Sequence, residues 1–460
     1  MSRRVIWILA GSLGLLLLLL VIIGNITFNS WLKSDVFRSL VSEKTSQALQ
    51  VQGEFETMKW KGSSVYSDQF MASGQDSAAL VENLEANSLR ARLALRRILD
   101  GEWRVDELTI GRMKIRFSSR RNQSGEENVW PAQRRASTTS PASGFWEKWL
   151  PRRFSVGRIS VENASLETDQ GQIRGTVIEA SSLGQDWLIE GQRGKLFLKD
   201  MPELQIKNYE IRIASGTFFL TSSEFTTENG GQIEVSGEAD IDSDTRDFYV
   251  KFEQLASDMV FEDRLKPYLS GKLRGNLEIK QRGAGTAANT NKLSGSVFLS
   301  EGTLKDLPVL SKLADFTDTP QFRRMTVQEV SGDFEKTSEG VFIRNFVLES
   351  KGLLRVEGEY RISTDEKIKG DLRVGLTKQT LRWIPGSQDR VFTEEQDGYM
   401  WAPVHISGSL DQPQEDLSSR LVVAAGAATI ESGVEILENA PDTIRGGVDT
   451  AIDILSPLLK

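Results

Sequence analysis

Residues 354–362 have the sequence LRVEGEYRI, and this stretch is the clearest indication of the fold. Apolar residues or glycine alternate with arginine or glutamate throughout it. Side chains of a β-strand point alternately to opposite faces, so a period of two predicts a strand with one apolar and one charged face. The glycine stands in the apolar row, where its missing side chain lets a sheet curl toward that face.

The same pattern, apolar-x-Gly-x-apolar, occurs nine times along the chain. Its central residues are Gly53, Gly175, Gly237, Gly275, Gly295, Gly332, Gly358, Gly370 and Gly408. In this interpretation every one of these glycines lies on the apolar face. Many such strands in series predict an all-β fold: an elongated, twisted and curled antiparallel sheet that encloses an apolar groove.

Composition excludes several classes of function. The chain has 460 residues, enough for two or three ordinary domains or one elongated domain, and a net charge of -8. Acidic and basic residues alternate along most strands, whereas a nucleic-acid-binding protein needs a concentrated basic face. We therefore expect no nucleic-acid partner.

Residues that could carry chemistry are scarce. The chain has no cysteine and one histidine, His405, which the alternation places on the polar face of a strand. The paired carboxylates are sequence neighbours and do not converge across a cleft. Neither a Gly-x-Ser-x-Gly elbow nor a phosphate-binding loop occurs, and the segment DIDSDT at 240–245 lacks the glycine and distal glutamate of a calcium loop. The sequence predicts a protein that is not an enzyme, with no catalytic residue, metal site or cofactor.

The first residues predict a membrane anchor. Arg3 and Arg4 precede 19 uncharged residues, 5–23, which as a helix span a hydrocarbon core of about 30 Å. No small-x-small cleavage site follows, so an uncleaved anchor is favoured over a signal peptide. The positive-inside rule puts the N-terminus in the cytoplasm and the bulk of the chain outside it. Representative anchor residues are Val5, Trp7, Leu15, Leu20 and Ile23.

The chain divides by pattern into five segments. Residues 1–24 form the cytoplasmic stub and anchor, and 25–117 form a helix at 34–50, with Asp35 as its expected cap, followed by strands. Residues 118–150 form a polar insertion or linker, and 151–420 form the repeating β region. Within that region short helices are expected at 263–269 and 307–316. Residues 421–460 predict two amphipathic C-terminal helices.

Several of these stretches resemble a known family. They are SDVFRSLVSEKTSQAL (34–49), VQGEFETMKWKG (51–62), the long run from 330 to 362, and VHISGSLDQP (404–413). In this order they resemble the AsmA-like family, whose relatives include TamB and other repeating β-groove proteins. The resemblance is clearest over 25–117 and 293–413, and residues 118–144 have no counterpart in it. It implies an inner-membrane-anchored periplasmic protein that shapes the outer membrane by carrying or regulating lipid.

The predicted function is to hold or transfer phospholipid, with acyl chains in the apolar groove. Periodicity alone supports a sheet with a packed interior equally well, which would be a membrane scaffold or regulator of envelope assembly; the resemblance favours the groove. The expected partners are membrane lipids and other envelope proteins, and the lipid, its direction of transfer and the oligomeric state stay open. The predicted lipid-facing residues are Ile233, Val235, Gly237, Leu273, Gly275, Leu277, Leu293, Gly295, Val297, Leu354, Val356, Gly358, Tyr360, Ile368, Gly370, Leu372, Val374, Ile406 and Gly408.

Overall fold

The structure is a computed structural model. It describes residues 34–74, 81–94, 102–118, 153–199, 201–240, 243, 245–260, 266–282, 291–305, 320–382, 386–409, 413–417, 419–421 and 423–424. The predicted anchor, the insertion after residue 118, the helix at 307–316 and nearly all of the C-terminal helices lie outside these ranges. Within them, no helix combines the length and apolar character that crossing a bilayer requires.

Strands make up most of the described chain, as the period of two predicts, and the residues fall into two compact units. The first unit ends at residue 200 and also takes the middle of β10, residues 206–212. Its elements are α1 (Asp35–Leu49), β1 (Val51–Phe55), β2 (Met58–Lys61), β3 (Ser64–Gly74), β4 (Val81–Leu93), β5 (Glu102–Phe117), β6 (Arg153–Thr168), β7 (Gly171–Leu183), β8 (Asp186–Gln192), β9 (Lys195–Leu198) and β10 (Leu204–Ala214).

The second unit holds the remaining strands and two short helices. Its elements are β11 (Thr217–Thr227), β12 (Gln232–Asp240), β13 (Thr245–Ala256), β14 (Leu269–Gln281), β15 (Lys292–Lys305), β16 (Arg324–Val327), β17 (Glu329–Thr337), β18 (Gly340–Ser350), β19 (Leu354–Ser363), β20 (Ile368–Leu376), α2 (Lys378–Leu381), α3 (Ser387–Arg390), β21 (Glu394–Gln396), β22 (Tyr399–Gly408) and β23 (Pro413–Glu415), with 3₁₀ turns at Ser257–Met259 and Pro320–Arg323. The helix expected at 263–269 is wrong over its described part, where 266–268 form a turn and Leu269 begins β14.

The sheet of the first unit corrects the expectation of purely antiparallel pairing. β5 and β6 are parallel, with Glu102 opposite Arg153 and Arg116 opposite Glu167. Other neighbouring strands in this unit, such as β3 with β4 and β6 with β7, are antiparallel. A parallel pair needs a crossover of a dozen or more residues, and 35 residues (118–152) separate β5 from β6. The sheet is therefore mixed at the point where the sequence pattern breaks.

Helix α1 covers the free edge of β1, the first strand of this sheet. Ser34 caps the helix by accepting a hydrogen bond from the Phe37 N–H, which corrects the expected cap, Asp35. Farther along the helix, the Ser46 hydroxyl accepts from the Gly53 N–H at 3.0 Å and donates to the Gly53 carbonyl at 3.1 Å. The Ser42 hydroxyl accepts from the Phe55 N–H at 3.1 Å. Serine side chains thus take the place of a neighbouring strand, which protects the edge from pairing with another chain.

Replacing one of these serines should destabilise the first unit. Ser46→Ala removes both hydrogen bonds to Gly53, so we expect the free energy of unfolding to fall by about 1–2 kcal/mol. Urea unfolding of the full chain, followed by tryptophan fluorescence, measures the change. Thr45→Ala is the matched control, because it removes a hydroxyl from the same turn of α1 without removing a hydrogen bond to β1. Equal stability of both variants would contradict the proposed edge protection.

The second unit is built around antiparallel neighbours, from β11 to β15 and then through β17, β18, β19, β20 and β22. The outer edge of β22 is covered along its length. β21 pairs with its first residues and β23 with its last. Between them the His405 N–H donates to Asp416 Oδ1 at 2.9 Å, and Arg420 donates to the Pro403 carbonyl. Pro403 itself has no N–H to satisfy.

Candidate functional site: the apolar face of the second unit

Cross-strand pairing arranges the apolar side chains of the second unit into rows. Residues directly opposite each other in neighbouring strands point to the same face, so each row can be followed from β12 to β20 or β22. The first row consists of Gly237, Phe248, Ile279, Leu293, Lys336, Val341, Ile362 and Ile368. The second consists of Val235, Val250, Leu277, Gly295, Phe334, Ile343, Tyr360, Gly370 and Ile406.

Two further rows complete this face. The third row consists of Ile233, Phe252, Gly275, Val297, Gly332, Phe346, Gly358, Leu372 and Val404. The fourth consists of Leu255, Leu273, Leu299, Val330, Leu348, Val356, Val374 and Ala402. Most of the predicted lipid-facing residues are thereby brought together on one face. Leu354 lies beyond the fourth row opposite Leu376, and Gly408 is exposed at the end of β22 opposite Pro413.

Exposure changes along the strands of this face. In the fourth row Leu255, Leu273 and Leu299 are buried. These three residues belong to β13, β14 and β15. In the first row of the same strands, Phe248 and Leu293 are half-buried and Ile279 is 39% exposed. Six residues of strand, about 20 Å, separate the two rows. The apolar face of β13–β15 is therefore open to solvent at its first row and closed at its fourth.

Exposure also changes from strand to strand. Val356, Tyr360, Leu372 and Ile406, in β19, β20 and β22, are each less than a tenth exposed. The rings of Tyr360 and Phe346 meet edge to face, with their centroids 6.1 Å apart. The predicted groove residues thus differ in exposure, since those of β12–β15 are mostly half-buried and the large side chains of β19–β22 are mostly buried.

The glycines of this face make room for large side chains on the next strand. Gly370 lies opposite Tyr360 and Gly358 opposite Leu372, so small and large residues alternate across β19 and β20. A Cβ on Gly370 would overlap the Tyr360 Cβ and lie 2.6 Å from the Glu359 carbonyl oxygen. The space that a side chain would occupy at each glycine is therefore taken by a large side chain of the neighbouring strand. The glycines thus have a packing role that the periodicity of the sequence does not reveal.

Gly175 departs from the expectation that every repeated glycine lies on the apolar face. In β7, Arg174 pairs with Ser165 and Thr176 with Ala164, so Gly175 is the extra residue of a β-bulge. Its φ is +70°, a left-handed conformation that suits glycine, and it is exposed. The bulge turns the fully buried Thr176 inward in place of the glycine. The expectation is therefore wrong for this residue.

The opposite face of the second unit carries ion pairs. On β18–β20 the Arg355 guanidinium lies 2.6 Å from Glu357 and 3.2 Å from Glu349, and Arg373 lies 2.5 Å from Glu357. Burial alone would raise the pKa of Glu357, but the hydrogen bonds from Arg373 and Arg355 outweigh it, and the pKa is lowered. Arg355 and Glu357 of the charged row thus belong to a network of ion pairs that stabilises the sheet.

The lowered pKa of Glu357 predicts a pH dependence of stability. A carboxylate whose pKa is lower in the folded chain stabilises above its unfolded pKa of about 4.3, and this stabilisation is lost as the pH falls through the folded value. We therefore expect the native chain to lose more unfolding free energy than Glu357→Gln between pH 6 and pH 3. Urea titrations at several pH values measure it, with Glu339→Gln in an exposed turn as the control. Parallel curves for the native chain and Glu357→Gln would contradict the prediction.

A hollow of about 450 Å³ on the same polar face is a second candidate site. It is lined by Arg274, Phe298, Asp333 and Asn345 among others. Asp333 accepts hydrogen bonds from Ser296 and Asn345, which lower its pKa, and the Arg274 guanidinium stacks 4.1 Å above the Phe298 ring. Because these groups already form hydrogen bonds and a cation–π contact with one another, they are less available to bind a ligand than the side chains of the apolar face.

The single histidine lies on the polar face as predicted. His405 is opposite Asp371, and His405 Nδ1 lies 2.5 Å from Asp371 Oδ1, with both side chains exposed. Across the part of the chain that the structure describes, no group of three His, Asp or Glu side chains is arranged to hold a metal ion. The apolar face is accordingly the feature from which a function can be argued.

Comparison with known proteins adds no relative to this picture. No family model, curated protein or solved structure matches the chain. The AsmA-like resemblance stays an expectation from the sequence, and the functional argument depends on the geometry of the apolar face.

Proposed function

We propose that this chain is an inner-membrane-anchored periplasmic protein of envelope and outer-membrane biogenesis, in a bacterium with two membranes, that holds or transfers phospholipid on its apolar face. The observation that carries the proposal is the open end of that face, where Ile279 is 39% exposed between the half-buried Phe248 and Leu293. The uncharged segment at 5–23 and the resemblance to AsmA-like proteins support the location.

The mechanism would be partition. Each acyl methylene that leaves water contributes about 0.8 kcal/mol, so a dozen methylenes against the first and second rows of β13–β15 outweigh any single polar contact. The polar headgroup stays in water at the open end. No bond is made or broken, and the protein contributes an apolar surface that water would otherwise cover.

A photo-crosslinking experiment in the full chain tests this proposal. A benzophenone amino acid replaces Ile279 in cells grown with radioactive phosphate, and irradiation links it to whatever lies against it. We expect a labelled phospholipid adduct. The matched control carries the same amino acid at Tyr249, which is 46% exposed on the opposite face of β13. Equal labelling at both positions, or none at Ile279, would overturn the proposal.

The second candidate function is a non-catalytic scaffold or regulator of envelope assembly with a packed β interior. The burial of Val356, Tyr360, Leu372 and Ile406 favours it for the part of the sheet formed by β19–β22. An Ile279 crosslink to protein, with no lipid adduct, would support this candidate over lipid transfer.

A further inference from the structure

One member of the first row is charged. Lys336 continues the alternation of β17 through Val330, Gly332 and Phe334, which places it on the apolar face. It lies directly between Leu293 of β15 and Val341 of β18. Every other member of the first row is apolar or glycine. An ammonium group therefore stands within an apolar row, between the half-buried Leu293 and the buried Val341, where the part of the row that is open to solvent on β13–β15 ends.

The surroundings of Lys336 leave its charge unmatched. Its side chain is exposed, and it has no ion pair within the described chain. Three lysines on the polar face of neighbouring strands are paired: Lys251 lies 2.8 Å from Glu253, Lys280 lies 2.5 Å from Glu278, and Lys292 lies 3.2 Å from Glu335. Glu335, the residue before Lys336, lies on the other face and pairs with Lys292, and Glu339, the next acidic residue after Lys336, makes no ion pair with it. The position thus offers one positive charge beside an apolar surface.

We propose that Lys336 binds the phosphate of an anionic phospholipid whose acyl chains lie on the apolar face toward the buried fourth row. This inference rests on the proposed function and specifies its substrate class. On β13–β15 the first row is open to solvent, so a headgroup stays in water there, and the flexible lysine stem can follow the apolar surface while the ammonium reaches outward. A zwitterionic headgroup carries its own cation beside the phosphate, so it gains less from Lys336.

The occupant follows from charge complementarity. A peptide or second protein with an apolar surface would fit the rows, but such a surface does not by itself supply an anion at their open end. A free phosphate ion would meet one exposed lysine, which in water binds anions weakly. A phospholipid supplies both parts in one molecule, with the phosphate at one end and apolar chains at the other.

Competition between two lipids tests the inference. The full chain with the benzophenone amino acid at Ile279 is mixed in detergent with equal amounts of phosphatidylglycerol and phosphatidylcholine, irradiated, and analysed by mass spectrometry. An ion pair between exposed groups is worth up to about 1 kcal/mol, so the native lysine should enrich the phosphatidylglycerol adduct by up to about fivefold. Lys336→Met keeps the stem and should bring the ratio of the two adducts close to one. Lys336→Glu should invert it.

The matched control is Lys369→Met. Lys369 is exposed on the polar face of β20, one residue from Ile368 of the first row, so the variant makes the same change in net charge on the other face. It should keep the native preference for phosphatidylglycerol. An unchanged ratio in Lys336→Met, or an equal loss in Lys369→Met, would overturn the assignment while leaving lipid binding intact. Absence of any lipid adduct with the native lysine would overturn the proposed function itself and the inference with it.

Discussion

Leu277→Asp is expected to reduce the phospholipid adduct at Ile279 at least tenfold. Leu277 is half-buried in the second row, between Val250 and Gly295 and two residues from Ile279 on the same strand face. An acyl chain lying over it would strip water from the new carboxylate, and burying an unpaired charge costs several kcal/mol. The carboxylate keeps its hydration only when the lipid is absent.

The control for this variant is Asn276→Asp, which adds the same charge at the neighbouring residue on the opposite face. It should keep most of the adduct. Thermal unfolding of both variants separates lost binding from lost folding, because Leu277 is partly exposed and its replacement leaves the closed fourth row intact. Full labelling in folded Leu277→Asp would show that lipid does not lie on this face.

The structure also shows which substitutions cannot test binding. Val356→Asp and Leu372→Asp place a charge among the predicted groove residues, as Leu277→Asp does. The two side chains are 7% and 8% exposed, so a carboxylate there would be buried in the folded chain whether or not lipid is present. Both variants should unfold the second unit. Loss of lipid in either would follow from loss of the fold.

Gly370→Ala is expected to lower the free energy of unfolding by about 1–3 kcal/mol, the usual cost of overpacking. The added methyl would overlap the Tyr360 Cβ and approach the Glu359 carbonyl oxygen to 2.6 Å. Both of these residues belong to β19, which pairs with β20 at this glycine, so β19 must move to admit the methyl group. Urea unfolding of the full chain measures the loss.

Gly332→Ala is the matched control, since Gly332 occupies the same position of the same repeated pattern. A Cβ there would have its nearest neighbour, the Ile343 Cγ2, at 3.6 Å, which is an ordinary contact. Its cost should stay well below that of Gly370→Ala. Equal destabilisation would mean that the glycines act through backbone conformation, and the packing role inferred for Gly370 would be wrong.

Strand identity and strand faces followed from the sequence alone. The alternation of residues 354–362 predicted β19, which spans Leu354–Ser363. Such predictions succeed because the two faces of a strand depend only on residues two apart. The position of Lys336 on the apolar face was visible in the same way, since it continues the phase of Val330, Gly332 and Phe334.

The features that depend on which strands are neighbours follow from the tertiary structure. Gly175 and Gly358 share one sequence pattern, yet a bulge in β7 turns the first outward while the second faces Leu372. The parallel pairing of β5 with β6, and the contrast between the exposed Ile279 and the buried Val356, were equally absent from the local pattern. Register, bulges and burial arise from contacts between residues far apart in the chain. The pattern in the sequence therefore determined the two faces of each regular strand. The folded sheet alone shows where a bulge changes them, where the apolar face is open, and that Lys336 lies between Leu293 and Val341.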